Sequence, residues 1–216
     1  MRILVFGATG GAGRAIVARL MKAGHAVTAS VRDPSRLDLA PRPSVVTGDA
    51  MNAQDVAGAV PGHDAIVVSL GDRPEPLEWL PGKRRTRPAQ VCETGTRNIV
   101  AALDPETPPR IVVVSAYGVG DTRDTAPWVI RVYLRLAMAE LMADKARQEA
   151  LLKATDLDVV LVQPVALTDG PATGAWFASA EGGIRKQQVS RGDLAAFIAG
   201  EIDTPRHSRA TVALSG

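Results

Sequence analysis

A chain of 216 residues that is 46% hydrophobic and 22% charged has the make-up of one globular domain with a sizeable core, not of a disordered tail. A formal charge of +2 leaves no broad basic field for nucleic acid, a single cysteine (Cys92) excludes a disulfide or a Cys-rich metal site, and His25, His63 and His207 are too scattered to form a ligand constellation. No apolar run approaches the ~18–20 residues of a membrane span, and Gly7 interrupts the first apolar run before a signal-type core forms, so a reducing cytoplasm is the expected setting.

Ile3–Phe6 is a short apolar strand broken at Gly7, with glycines at every third position, Gly7, Gly10 and Gly13, before a helical run at Arg14–Lys22. Strand, glycine turn and helix is the context that makes a glycine pattern a phosphate-binding site. Gly7 suits a tight turn, Gly10 lets the backbone approach a pyrophosphate, and Gly13 lets the helix lie on the strand. The helix N-terminus adds free N–H groups and the positive end of its dipole. The spacing is G-x-x-G-x-x-G, not G-x-G-x-x-G, and in this setting it predicts dinucleotide binding.

Gly24-His25 ends the helix, and Ala26–Val31 is a second strand. Its tip, Arg32-Asp33-Pro34, admits two cofactors. Asp33, 20 residues after Gly13, stands where a carboxylate binds the ribose 2′-hydroxyl of NAD. Arg32, helped by Arg36, would instead take the 2′-phosphate of NADP(H) through charge-assisted hydrogen bonds. The arginine pair is the favoured reading; a solvated turn with mutually paired charges is the bland one.

Val45–Thr47 is a short third strand ending in Gly48-Asp49-Ala50, where Asp49 either faces the adenine side or caps the helix Asn52–Val60. Asp64–Leu70 is a buried fourth strand, and Ser69, Leu70 and Gly71 lie at its C-terminal end, where an open α/β sheet binds its ligand. Residues 72–88 are irregular, with four prolines, Trp79 and the basic run Lys83–Arg87. That run is a lid or anion-binding loop on one reading and a solvated loop on the other. Pro88 opens a helix to Leu103.

Arg110–Ser115 is the fifth strand, and Ser115, followed by Ala116 and Tyr117, stands where a hydroxyl would lie beside a nicotinamide. Thr125 and Pro127 read as the start of a long helix, about 128–154, whose first half is apolar nearly all round. Leu157–Gln163 is the sixth strand, closed by Pro164. Residues 165–216 hold a glycine-rich loop at Asp169–Gly174, a strand at Gln188–Ser190, a helix from Arg191 to Glu201 and a last strand at Ala210–Leu214. The βαβαβαβαβα pattern predicts one domain over 1–216. Its fold would be a doubly wound, mostly parallel α/β sheet with helices on both faces and a short C-terminal substrate-side segment.

Seven segments take the comparison beyond the fold: G-A-T-G-G-A-G at 7–13, V-R-D-P-S-R-L at 31–37, V-T-G-D at 46–49, G-T-R-N-I-V-A-A-L at 95–103, V-S-A at 114–116, L-T-D-G-P-A-T-G at 167–174 and V-S-R-G-D-L-A-A-F-I at 189–198. Together they resemble the atypical short-chain dehydrogenase/reductase family, which has a Rossmann-type fold. Within it they are closest to the flavin reductase and biliverdin-IXβ reductase-like group. The resemblance implies NADPH along the strand C-termini, with Gly7, Thr9, Gly10, Gly11, Ala12 and Gly13 at the diphosphate and Arg32 and Arg36 at the 2′-phosphate. It places Asp49 and Ala50 by the adenine, Ser69, Leu70 and Gly71 by the ribose, and Ser115, Pro164 and Val165 around the nicotinamide. The implied activity is hydride transfer to FMN, FAD or another planar conjugated small molecule, by a monomer or homodimer with no nucleic-acid, membrane or metal partner.

The mainstream family uses Y-x-x-x-K, in which lysine lowers the tyrosine pKa. Here Tyr117 is followed four residues later by Asp121 and Tyr133 by Ala137, so the motif is missing. Reversible alcohol oxidation therefore loses its acid, whereas flavin reduction depends chiefly on positioning. Ser115 and Lys145 are the expected catalytic residues, Ser115 bonding the nicotinamide amide or the acceptor and Lys145 facing substrate. Tyr117 would stack on an aromatic acceptor or line the pocket, with Trp79 and Trp176 at its edge. Against these stand plainer roles, a strand-end hydroxyl for Ser115 and an i,i+4 surface pair with Glu149 for Lys145. A non-enzymatic NADP(H)-binding redox sensor of the NmrA-like type is the alternative function. A sugar-nucleotide epimerase or dehydratase is disfavoured by the short tail.

Overall fold

The computed structural model describes residues 1–71, 90–125 and 138–216. The chain runs β1 (Arg2–Phe6), α1 (Gly11–Lys22), β2 (Ala26–Val31), β3 (Ser44–Thr47), α2 (Ala53–Ala59), β4 (Ala65–Val68), α3 (Val91–Ala101), β5 (Arg110–Val114), α4 (Ala139–Lys153) and β6 (Val159–Pro164). It continues through β7 (Ala166–Thr168), β8 (Phe177–Ser179), β9 (Gln188–Ser190), α5 (Arg191–Asp203) and β10 (Ala210–Ser215). Short 3₁₀ turns cover Pro34–Arg36 and Gly120–Thr122.

The central strands are apolar runs without alternation, and β1, β4, β5 and β6 are buried along nearly all of their length. Strands of this kind need cover on both faces, which a parallel sheet with helices above and below supplies. The main sheet has the order β3-β2-β1-β4-β5-β6-β10-β8, parallel throughout except for the edge strand β8, which is antiparallel to β10. Ile3 and Val5 join one core with Ile16 and Leu20 of α1 and Leu194 and Ile198 of α5; Leu4 and Phe6 join the other with Val56 of α2, Ile99 of α3 and Leu152 of α4. Strand order reverses between β1 and β4, and ligands of doubly wound sheets bind beyond the strand C-termini at that point.

Several element ends differ from the expectations. α1 starts at Gly11, not Arg14, so Gly11, Ala12 and Gly13 form its first turn rather than a loop before it. α3 starts at Val91; Gln90 before it is left-handed (φ +85°) and supplies no cap. The cap comes from α4 instead, because the Asp144 carboxylate accepts from the Cys92 amide at 2.8 Å and the Glu93 amide at 3.0 Å. α2 is capped by Asn52, whose Oδ1 accepts from the Gln54 amide at 2.9 Å, so Asp49 is not the helix cap; its carboxylate accepts from the Met51 amide at 3.0 Å in an Asx turn.

The helix expected over 128–154 is described only from Ala139, because Met138 has φ −131° and ψ 20° and is not helical. Pro127 and residues 128–137 of that expectation, with Tyr133 among them, lie outside the described residues, as do Trp79, Lys83–Arg87 and Pro88. β7 and β8 were not expected. At three residues each they carry too little sequence for a periodic signal, and pairing alone defines them: β7 lies parallel to β9 in a separate two-stranded sheet.

The C-terminal stretch is built into the main sheet through α5 and β10. Ser190 caps α5 by accepting from the Asp193 amide at 2.9 Å, while its hydroxyl donates to the Asp193 carboxylate at 2.8 Å. The same carboxylate accepts from the Thr173 amide at 3.0 Å, the Gly174 amide at 2.9 Å and the Thr173 hydroxyl at 3.0 Å, and so ties the 169–174 loop to the start of the helix. Burial pushes the Asp193 carboxyl up, but the bonds from Ser190, Thr173 and Gly174 outweigh it and hold it below the usual carboxylate range. A depressed carboxyl stabilises the fold above its unfolded-state pKa and stops doing so as the pH falls through its folded value. Asp193→Ala should cost about 2–4 kcal/mol in urea unfolding at neutral pH. The gap to wild type should begin to narrow below about pH 4, where the unfolded chain takes up this proton, and should close as the pH falls through the lower folded value.

Candidate functional site

The glycine turn is held by backbone contact. Gly7 has φ +77°, and a Cβ on it would overlap the carbonyl oxygen of Ser69; a Cβ on Gly13 would overlap the carbonyl oxygen of Gly7. Strand β1, the turn, the first turn of α1 and the end of β4 are thus packed backbone to backbone. Gly10 is exposed, and a Cβ there would meet only the Gly7 oxygen at 3.4 Å. No side chain caps α1, and its first turn holds no acidic residue. Uncapped N–H groups, an open outer side and glycine where the backbone must come close are the features a diphosphate needs.

Arg191, which spacing gave no reason to choose, joins this turn. It is the first residue of α5, and its side chain lies so close to Gly11 that a Cβ there would come within 2.8 Å of Nε. The guanidinium is buried, and Nη1 donates to the exposed Asp169 carboxylate at 2.5 Å. A cation therefore stands beside the positive end of α1, with the Asp169 carboxylate its one recorded partner among the described residues.

The remaining expected cofactor residues lie along the same edge of the sheet, at the C-terminal ends of successive strands. Arg32 and Arg36 follow β2 and are exposed. Asp33 between them caps the Pro34–Arg36 turn, accepting from the Ser35 hydroxyl at 2.7 Å and the Ser35 amide at 2.9 Å. These two bonds, the hydroxyl first, hold its carboxyl below the usual range. Ala50, next to Asp49 beyond β3, is buried against Gly95, and its carbonyl accepts from Asn98 Nδ2 at 3.0 Å. Ser69 donates its amide to the Phe6 carbonyl at 3.0 Å, and Gly71 is exposed with open space where a Cβ would lie. At the end of β6, the Pro164 carbonyl accepts from the Tyr117 amide, and Val165 donates its amide to the Leu214 carbonyl, both at 3.0 Å.

Lys145 is not the surface partner of Glu149. It is 6% exposed, and its Nζ donates to the Val114 carbonyl at 2.8 Å and the Leu70 carbonyl at 3.3 Å, bridging the ends of β5 and β4. Glu149 is buried as well, and Ser115 Oγ is hydrogen-bonded to its Oε1. The hydrophilic stretch of α4 therefore faces inward: Asp144 caps α3, Gln148 Nε2 donates to Thr96 Oγ1 at 2.7 Å, and Lys145 and Glu149 hold the strand ends. One turn before Lys145 stands Leu141, so the tyrosine of Y-x-x-x-K is replaced at the position that pairs with this lysine. Working backwards from Lys145 finds this; working forwards from each tyrosine does not.

Tyr117 is buried. Its ring is enclosed with Val165, Val189 and Ala213, and its hydroxyl lies 3.2 Å from Thr125 Oγ1 and donates to the Gly182 carbonyl at 3.3 Å. Trp176 is more exposed and meets Phe197 of α5 edge-on, with ring centroids 6.5 Å apart. Among the described residues no helix is long and apolar enough to cross a membrane.

A family model described as NAD(P)H-binding matches residues 7–205. An uncharacterised chloroplast protein of Arabidopsis thaliana is 28% identical over 211 residues, which cover 93% of this chain and 71% of that protein. ChuY, an anaerobilin reductase from Escherichia coli O157:H7, is similar in structure with a TM-score of 0.78 at 23% identity, covering 100% of this chain and 97% of that one. A Streptococcus pneumoniae TIGR4 protein proposed to be an NADH-flavin reductase gives a TM-score of 0.73 at 23% identity, covering 99% and 98%. At these identities the structural likeness is one of fold.

The close approach at Gly13 yields a direct test. Gly13→Ala should lower stability by about 1–3 kcal/mol, because the new methyl must displace the Gly7 carbonyl. Nicotinamide-cofactor binding, followed by titration of the protein's tryptophan fluorescence, should be lost with it.

Proposed function

The chain belongs to the NAD(P)H-binding family, and we propose that within it the protein is an NADPH-dependent reductase that passes hydride to a flavin or a similar planar conjugated acceptor. The observation that carries this reading is the division of labour at the sheet edge. An uncapped helix N-terminus with Arg191 beside it suits a diphosphate, and a buried hydroxyl and lysine lie at the ends of β4 and β5, the next two strands of the sheet. The Arabidopsis relative is uncharacterised; the fold neighbours include an anaerobilin reductase and a protein proposed to be an NADH-flavin reductase.

In this reading Gly7, Thr9, Gly10, Gly11, Ala12 and Gly13, together with Arg191, hold the diphosphate. Arg32 and Arg36 take the 2′-phosphate. The capping role of Asp33 supports that choice, since Ser35 already occupies its carboxylate and the two arginine side chains are left exposed. Asp49 and Ala50 lie by the adenine, Ser69, Leu70 and Gly71 by the ribose, and Ser115, Pro164 and Val165 by the nicotinamide. NADPH, when bound, supplies the hydride. Lys145 keeps the ends of β4 and β5 in register, so that Ser115 stays where the nicotinamide would lie. Tyr117 has only a structural role. Leu141 in place of the tyrosine acid favours an acceptor that is electrophilic without one, as an oxidised flavin is. The working setting is the cytoplasm, and the partner is a small molecule.

The sensor alternative draws on one feature, the Ser115 hydroxyl that is turned onto Glu149. NADPH absorbance followed with the purified chain and excess FMN or FAD separates the two. Catalytic turnover is expected; tight NADPH binding without turnover would sink the reductase reading and leave the sensor. For cofactor choice, Arg32→Ala should weaken NADPH about tenfold to a hundredfold, the loss of a charge-assisted contact of roughly 1.5–3 kcal/mol. NADH affinity should barely move, and equal losses for both would show that Arg32 does not contact the 2′-phosphate.

A further inference from the structure

Hydride transfer to a conjugated acceptor also requires a proton, and with no tyrosine at position 141 the proton must come from elsewhere. Among the described residues Glu149 is the one buried carboxyl bonded to Ser115. It is 1% exposed, and neither lysine on its own helix is spent on it. Lys145, one turn earlier, is bound to the Val114 and Leu70 carbonyls, and Lys153, one turn later, pairs with Asp121 at 2.6 Å. Glu149 Oε1 meets Ser115 Oγ and accepts from Gln163 Nε2 at 2.8 Å. The Gln163 amide is oriented by its own bonds, because Nε2 also donates to the Val119 carbonyl at 2.9 Å and Oε1 accepts from the Thr122 hydroxyl at 2.7 Å. Among the described residues Glu149 Oε2 has no hydrogen-bond partner, and it lies against Gly120, where a Cβ would overlap it.

A carboxylate in this position would bury a full charge with two donors on one oxygen and none on the other, an arrangement that neutralisation relieves. Burial pushes the Glu149 carboxyl up, against the bonds from Ser115 and Gln163; of the charged neighbours, Lys153 opposes that rise and Asp121 adds to it.

We propose that Glu149 and Ser115 form a two-membered proton relay: the Ser115 hydroxyl, which donates to Glu149 Oε1 in the ligand-free protein, turns to the acceptor, and a protonated Glu149 then donates from Oε1 to Ser115 Oγ while the Ser115 proton passes to the acceptor. The relay rests on the reductase reading. The acceptor gains two electrons and one hydrogen with the hydride and its second hydrogen from Ser115, and the nicotinamide is oxidised by the same two electrons. The Ser115 O–H bond breaks as the acceptor–H bond forms, and the Glu149 O–H bond breaks as Ser115 regains its own. Glu149 is left as a carboxylate and recovers a proton from water by way of Ser115 after product leaves. Glu149 acts through Ser115 and does not itself touch the acceptor.

Two measurements test the relay. Infrared difference spectra of the ligand-free protein, wild type minus Glu149→Gln, should show the carbonyl stretch of a protonated carboxylic acid at neutral pH. Ser115→Ala should shift that stretch, because it removes the acid's hydrogen-bond partner. In NADPH oxidation with FMN, Glu149→Gln should lower kcat about a hundredfold and abolish the fall of wild-type kcat with rising pH, with NADPH affinity unchanged. Retention of wild-type kcat and pH profile by Glu149→Gln overturns the relay. If that variant does not fold, the wild type minus Ser115→Ala difference spectrum decides the matter: a paired positive and negative acid carbonyl band supports the relay, and its absence overturns it. Turnover by a wild type without the acid stretch overturns the relay and spares the reductase reading. An acid stretch without turnover of any acceptor overturns the reductase reading, and the delivery step with it.

Discussion

A buried ammonium group organises the centre of this protein. Lys145 reaches from α4 to the Val114 carbonyl at the end of β5 and the Leu70 carbonyl two residues beyond β4. Taking a lysine out of water costs several kcal/mol, and two charge-assisted bonds of about 1.5–3 kcal/mol each offset it only if both carbonyls stay in place. The interaction therefore penalises any drift of the two strand ends. Its neighbours on α4 extend the constraint in every direction. Asp144 holds the start of α3, Gln148 holds the middle of α3 through Thr96, and Glu149 holds the residue after β5 and, through Gln163, strand β6. One helix face thus sets the spacing of four elements, and Ser115 inherits its position from them.

The glycine turn is organised by a different kind of contact. Lys145 works through polar bonds, whereas the turn works through the absence of side chains, which lets β1, α1 and β4 touch backbone to backbone. Capping sharpens its role. Asn52 closes the start of α2, Asp144 that of α3 and Ser190 that of α5, so three helices present satisfied N-termini. α1 has neither a side-chain cap nor an acidic first turn, and Arg191 adds charge of the same sign. Among these helices α1 alone thus offers an approaching anion an N-terminus with neither a side-chain cap nor an acidic first turn.

Much of the architecture was legible in the sequence for a simple reason. A strand buried on both faces must be apolar at every position, and Ile3–Phe6, Ala65–Val68, Ile111–Val114 and Val159–Val162 are unbroken runs between turn residues. The glycine turn was legible too, because its residue types follow from local geometry. The inward face of α4 was not. A-D-K-A-R-Q-E is among the most hydrophilic stretches of the chain, and its spacing allows the i,i+4 surface pair that it does not form. Hydropathy treats a charged residue as an exposed one, whereas here the buried partners are strand-end carbonyls and helix-start amides, which no side-chain pattern announces. Arg191 escaped for a related reason: its neighbour Gly11 lies at the other end of the chain. Tyr117 failed in the opposite sense, since its loop position suggested access and the C-terminal segment closes over it.

The place of β10 has a consequence for how the protein comes off the ribosome. It lies between β6 and β8, so until Ala210–Ser215 has emerged, β6 stands as an open sheet edge with a row of unpaired amides and carbonyls. At translation rates of 5–20 residues per second, synthesis of the stretch from Val165 to Arg209 leaves that edge bare for roughly 2–9 s. The nascent chain already carries its complete glycine turn during that interval, but Arg191 and α5 dock on the turn only as the final third is made. The surroundings of the turn are thus complete only shortly before the last strand seals that edge.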